Sequence, residues 1–98
     1  MSATPFCDLD QVLSLTEAMH SAASEGRWDD LADLEARRDP VLRSGTMRPA
    51  PQTLESLKSI MLMDNLIKDL VSAARDETMI ALDASRRVRR AVAAYTSF

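Results

Sequence analysis

Cysteine, histidine and glycine are scarce in this 98-residue chain, which has one Cys, one His and two Gly. Cys7 has no second thiol with which to form an internal disulfide, which fits a reducing compartment such as the cytoplasm. Cys7 and His20 stand 13 residues apart on one predicted helix, so roughly 20 Å of helix axis separates them and excludes a Cys/His nucleophilic pair. No glycine-rich phosphate loop or zinc-ligand spacing occurs. We therefore expect no enzyme, no catalytic residue, no metal and no cofactor.

Long apolar runs are also lacking, and the uninterrupted ones reach only a few residues. A helix that spans a bilayer needs about 20 apolar residues, so no membrane association is expected. The first ten residues, MSATPFCDLD, have neither a basic region nor an apolar core. They do not have the pattern of a secretory signal, which again favours a cytoplasmic location.

Acidic and basic residues are present in ordinary numbers but are unevenly placed. Residues 1–35 carry eight acids and one base, a net charge of −7, whereas residues 36–98 carry seven acids and eleven bases, a net charge of +4. Arg86, Arg87, Arg89 and Arg90 form a basic cluster near the end of the chain. The cluster either solvates a helix end or docks an acidic protein surface. With few aromatic residues for stacking and no recognition module, nucleic acid is not an expected partner.

The spacing of apolar residues predicts an all-α fold, an antiparallel three-helix bundle in one domain over residues 1–98. Helices are expected at about 5–24, 27–44 and 53–96. Thr4 and Pro5 have the pattern of a helix start, and Gly26 can adopt the left-handed conformation that ends a helix. Pro40 predicts a kink or an early end near Asp39, because proline removes one backbone hydrogen bond. Residues 46–52 are expected to form a loop.

The third predicted helix is too long for the other two to cover. Residues 53–96 contain no Gly or Pro, and at 1.5 Å per residue they would span about 66 Å, against about 30 and 27 Å for the first two helices. Three arrangements remain open. The C-terminal part projects, it breaks and folds back, or another chain covers it.

The second predicted helix carries the proposed structural anchors of the bundle. Trp28, Leu31 and Leu34 recur on its inner stripe. Trp28 is interpreted as a core anchor, with an interface hot spot as the alternative. Glu35 and Arg38 stand three residues apart inside the same apolar arc, where they would form a half-buried ion pair that sets helix register, or else contact a partner.

The order of these segments resembles the flagellar export chaperones of the FliT type, which escort the filament-cap protein. The residues that carry the likeness are Gly26-Arg27-Trp28-Asp29, Leu31, Leu34-Glu35, Arg38, Met63-Asp64-Asn65-Leu66-Ile67 and Ala93-Ala94-Tyr95. The resemblance implies a bacterial chaperone that binds the disordered C-terminal segment of the cap protein and prevents its premature polymerisation. It would deliver that client to the type III export apparatus, including its ATPase complex. In some bacteria a flagellar transcription regulator is a further partner.

An uncovered apolar surface on the third helix would suit such a role, because an amphipathic client segment can fold into a groove between helices. The expected partner-binding residues are Leu62, Leu66, Leu70, Ala73, Ile80, Val88 and Tyr95, with Met61 and Met79 at the edge. Two other functions stay open. The same surface could be buried by a second copy in a self-associating structural bundle, or the protein could be an adaptor for a transcription regulator.

Overall fold

A computed structural model describes residues 7–45 and 50–97, and it contains three helices. They are α1 (Leu9–Ser24), α2 (Trp28–Leu42) and α3 (Pro51–Thr96). The described ranges contain no strand, so the predicted all-α fold is confirmed. Since α3 runs for 46 residues without interruption, the alternative of a break and fold-back is wrong.

α1 begins later than the sequence predicts. Asp8 is its N-cap, and the Asp8 carboxylate accepts a hydrogen bond from the backbone N–H of Gln11 at 3.1 Å. This bond satisfies one of the donors that every helix start leaves unpaired. The predicted start at Thr4 and Pro5 lies outside the described residues.

A tight turn at Gly26 joins α1 to α2. Gly26 has φ +71, the left-handed conformation that its sequence position predicted. The N–H of Arg27 donates to the carbonyl of Ala22 at 2.8 Å, and the N–H of Gly26 donates to that of Ala23 at 3.2 Å. These two bonds form a Schellman motif, which satisfies the last carbonyls of α1 and reverses the chain.

Both proline-containing segments differ from the prediction by a few residues. α2 continues past Pro40 and ends at Leu42, where the N–H of Arg43 still donates to the carbonyl of Asp39. Pro40 lacks a backbone N–H donor, but the loss of this one hydrogen bond in the last turn does not end α2. α3 begins at Pro51 because proline suits a first helical position, whose N–H would have no partner anyway. Of the predicted loop over 46–52, residues 46–49 lie outside the described part.

α1 forms the centre of the bundle and packs against both other helices, whereas in the described part of the chain α2 and α3 meet only through side chains. α2 runs antiparallel to α1 and α3. The core has two layers, and their buried members are Met19, Ala22, Ala23, Leu31 and Ile67 in one and Cys7, Leu9, Val12 and Ile60 in the other. Because the backbones of α2 and α3 stand apart, a groove remains between them.

α3 extends far beyond the other two helices. Its 46 residues span about 69 Å, against about 24 and 23 Å for the 16-residue α1 and the 15-residue α2. The molecule is correspondingly elongated, 81 × 24 × 17 Å. Every residue from 75 to 97 is exposed. We call this part of α3 the overhang, and it confirms the prediction that the hairpin cannot cover the third helix.

Candidate partner-binding groove

A largely apolar groove lies between the start of α2 and the middle of α3, at the level where α3 leaves the bundle. Its volume is about 540 Å³. It is lined by Trp28, Leu31, Ala32 and Glu35 from α2 and by Val71, Ala74, Arg75, Thr78 and Met79 from α3. We call it the Trp28 groove.

The walls of the Trp28 groove are mostly apolar, and the charged groups are few. The Thr78 hydroxyl donates to the carbonyl of Ala74 at 2.9 Å within α3. With its hydroxyl satisfied there, Thr78 contributes mainly a methyl group to the wall. Glu35 on α2 and Arg75 on α3 are exposed and bring one carboxylate and one guanidinium to the lining. Such a site suits an apolar ligand that carries a small number of charges.

Trp28 belongs to this groove and is not a core anchor. Its residue surface is 40% exposed, whereas Leu31, one turn later, is buried. The Gly26 turn places Trp28 at the first position of α2, where α3 approaches from one side only. The prediction of a core anchor is therefore wrong, because a stripe on a helical wheel does not show where the neighbouring helix ends.

Two ion pairs made by Arg27 stabilise the turn that precedes Trp28. The Arg27 guanidinium bonds the Glu25 carboxylate at 2.6 Å and the Asp30 carboxylate at 2.8 Å. The hydrogen bond to Asp30, with that to Glu25, raises the pKa of Arg27 above its ordinary value. These contacts are exposed, so they orient the turn and add little to overall stability.

Arg38 joins all three helices through a polar contact that the sequence did not predict. Its Nη1 atom donates to the Thr16 hydroxyl at 3.0 Å and to the Asp64 carboxylate at 2.6 Å. The Arg38 side chain is only 14% exposed and that of Asp64 is 41% exposed. The predicted Glu35–Arg38 pair is therefore wrong. Glu35 faces the groove, while Arg38 turns toward α1 and α3.

Of the remaining anchors, Leu31 is buried in the core layer of Met19 and Ile67, and Leu34 is half-buried against the same layer. Their predicted place on the inner stripe agrees with the structure. Leu34 and Arg38 thus position α2, and Leu31 additionally forms part of the groove wall.

The predicted partner-binding residues do not form one site with the groove. Among them only Met79 lines it. Leu70 is half-buried against the core and is partly used by the bundle. The others, Met61, Leu62, Leu66, Ala73, Ile80, Val88 and Tyr95, are exposed along the length of α3. The α3 wall of the groove is formed by Val71, Ala74 and Arg75, which were not predicted as partner-binding residues because only the position of α2 makes this surface concave.

The chain matches a known protein family. The model of the family described as flagellar protein FliT matches residues 7–97. The chain belongs to the FliT family of flagellar export chaperones. No match was found among curated proteins or among solved structures.

In this FliT-family chain the matched range includes the Gly26 turn, the Trp28 groove and the overhang. No helix within the described ranges is both long enough and apolar enough to cross a membrane. In the same residues no three His, Cys, Asp or Glu side chains are grouped closely enough to hold a metal ion.

Proposed function

We propose that this FliT-family chaperone holds the C-terminal segment of the flagellar filament-cap protein in the Trp28 groove. The observation that carries the proposal is an open, largely apolar groove between two helices at the point where α3 leaves the bundle. Family membership supports an export-chaperone role. The groove supplies a surface on which such a chaperone can act.

The shape of the groove favours a helical occupant. A client helix that lies between α2 and α3 would take the place of a fourth helix and complete the packing that the separated backbones leave open. Its apolar side chains, spaced three or four residues apart, would contact Trp28, Val71 and Met79. A segment that is disordered when free can gain this helical structure as it binds.

The two charges in the lining give the occupant an expected polarity. Glu35 on one wall favours a basic side chain on the client, and Arg75 on the other wall favours an acidic one. Such charges contribute more to orientation and association rate than to affinity. A client helix with Lys or Arg along one edge and Asp or Glu along the other is therefore the preferred occupant.

Further parts of the proposed role rest on the family. The chaperone would keep the cap protein unpolymerised in the cytoplasm and deliver it to the export apparatus and its ATPase complex. It would act by binding and without enzymatic chemistry. A flagellar transcription regulator would be a second client of the same kind of site.

Isothermal titration of the chain with a peptide of the cap protein's C-terminal segment tests the proposal. Met79→Glu should weaken binding at least tenfold, because it places a carboxylate in an apolar contact. Met61→Glu is a matched control, since Met61 is also exposed, lies five helical turns earlier on the same face and does not line the groove. Absence of binding by the wild-type chain, or equal loss in both variants, would contradict the proposal.

A further inference from the structure

The Trp28 groove is closed at one end and open at the other. At the inner end, Arg38 of α2 donates to the Asp64 carboxylate of α3 at 2.6 Å. This ion pair bridges the two helices that form the groove walls. At the outer end α2 begins at Trp28, whereas α3 continues past Met79 as the overhang. A bound helix that is longer than the groove therefore continues toward the overhang.

The groove is shorter than a stable client helix. Its α3 wall runs from Val71 to Met79, which is about 12 Å of helix and matches about eight residues of an occupant. Isolated helices of fewer than about 12 to 15 residues are marginal in water. A client that becomes helical as it binds is therefore expected to extend beyond the groove by at least one turn.

The side of α3 that lines the groove continues along the overhang. At about 100° per residue, Leu82 and Arg89 project within about 15° of the middle of the α3 wall, and Ser85, Arg86 and Ala93 project within about 55° of it. All five residues are exposed. We call them the overhang strip. Leu82 follows Met79 by one turn and continues the apolar lining of the groove.

The overhang strip is basic and contains no acidic residue. Arg86 and Arg89 lie three residues apart, a spacing at which like charges on a helix repel each other. The residues three and four positions from Arg89 are Ser85, Arg86, Val92 and Ala93, none of which is acidic. No ion pair in the described part of the chain involves either arginine. A carboxylate placed between them would relieve the repulsion and accept charge-assisted hydrogen bonds from both guanidinium groups.

We propose that the client helix continues out of the Trp28 groove along the overhang strip and places acidic side chains on Arg86 and Arg89. The path rests on the proposed function, because it extends the contacts of the same client. Leu82 receives an apolar side chain one turn beyond the contact at Met79. The two arginines receive Asp or Glu about 10 to 15 Å from that contact.

The overhang strip would select among clients that fit the groove equally well. Apolar contacts with Trp28 and Met79 are available to any amphipathic helix of suitable spacing. A helix with basic side chains at the level of Arg86 and Arg89 would meet like charges, which disfavour the wrong partner. The preferred client is therefore an amphipathic segment with an acidic turn beyond its apolar anchors.

Isothermal titration with the C-terminal peptide of the cap protein tests the apolar part of the path. Leu82→Asp should weaken binding about tenfold, because it places a carboxylate in an apolar contact. Ala84→Asp is the control, since it adds the same charge at an exposed position about 160° round the helix. Equal affinities of the two variants would refute the contact at Leu82. If Leu82→Asp changes only the oligomeric state in sedimentation equilibrium, the strip is covered by a second copy and the proposal is overturned.

Charge reversal tests the acidic contact. Arg89→Glu should weaken peptide binding about fivefold, because it repels the acidic turn of the client. Arg87→Glu is the matched control, since Arg87 is also exposed but projects about 160° away from Arg89. Circular dichroism checks that both variants remain helical. Equal losses in the two variants would contradict the contact. An amidated peptide should bind as tightly as one with a free C-terminus, and a large loss on amidation would show that the terminal carboxylate occupies the arginines instead.

Amide hydrogen exchange of the full chain with saturating peptide locates the path of the client. We expect slower exchange in residues 82–89 as well as in residues 71–79. Protection of 71–79 alone would refute the extended path and leave the groove proposal intact. Protection of 82–89 alone, with Met79→Glu binding as tightly as the wild type, would refute the groove proposal.

Discussion

At the residue scale, Trp28 shows how exposure changes the expected role of a side chain. A fully buried Trp would cost about 3 to 5 kcal/mol when truncated to alanine. Trp28 is 40% exposed, so we expect Trp28→Ala to lower the free energy of unfolding by only about 1 to 2 kcal/mol. Because Trp28 is an aromatic contact in the groove, the same substitution should instead weaken client binding about 30-fold.

Urea unfolding and isothermal titration with the cap-protein peptide measure the two effects of Trp28→Ala. A stability loss above about 3 kcal/mol with unchanged affinity would contradict the groove role and indicate that Trp28 is a core anchor.

Arg38 makes the polar contact that joins α2 to both α1 and α3. Arg38→Met keeps the apolar stem but removes the bonds to Thr16 and Asp64. We expect the free energy of unfolding to fall by about 1 to 2 kcal/mol, since Asp64 is partly solvated and regains water. Arg37→Met, at an exposed neighbouring position, is the control and should change stability by less than about 0.5 kcal/mol. Equal losses in both variants, measured by urea unfolding, would contradict the assigned role of Arg38.

At the element scale, the Gly26 turn determines how α2 leaves α1. A methyl group at Gly26 would meet nothing within 4 Å, so Gly26→Ala tests the backbone conformation alone. We expect a loss of about 1 kcal/mol, because φ +71 is unfavourable for a residue with a Cβ. This corresponds to a fall in Tm of roughly 4 to 8 °C. Gly26→Asn should lose less, since asparagine tolerates the left-handed region, and thermal unfolding that ranks the two in the opposite order would contradict this account.

At the scale of the whole molecule, α3 is divided into a packed part and an overhang. Ile60 and Ile67 are buried, whereas all residues from 75 to 97 are exposed. Amide hydrogen exchange should therefore be fast in the overhang and slow around Ile60 to Ile67. Uniform protection along α3 would contradict this division.

The helices, the Gly26 turn and the excess length of α3 were predictable because each depends on residues close together in the sequence. Apolar spacing, a glycine after a helix and a long segment without Gly or Pro are local signals. The residues that close the bundle were also partly predictable, and Leu31 and Leu34 lie where their stripe placed them. The predicted helix ends differ from the observed ones by a few residues. Capping hydrogen bonds such as that of Asp8 decide the observed ends, and alternative ends a few residues away differ little in free energy.

The tertiary structure decided what each surface of those helices contacts. Arg38 pairs with Asp64, which is 26 residues away in sequence, and not with nearby Glu35. Trp28 lies in a groove because α2 and α3 both pack against α1, and their own backbones stay apart. Periodicity determines which side chains share a face of one helix, but contacts between helices depend on their relative position and tilt. The sequence by itself therefore determined three helices, one of them too long, and only their packing produced the groove and left the overhang exposed.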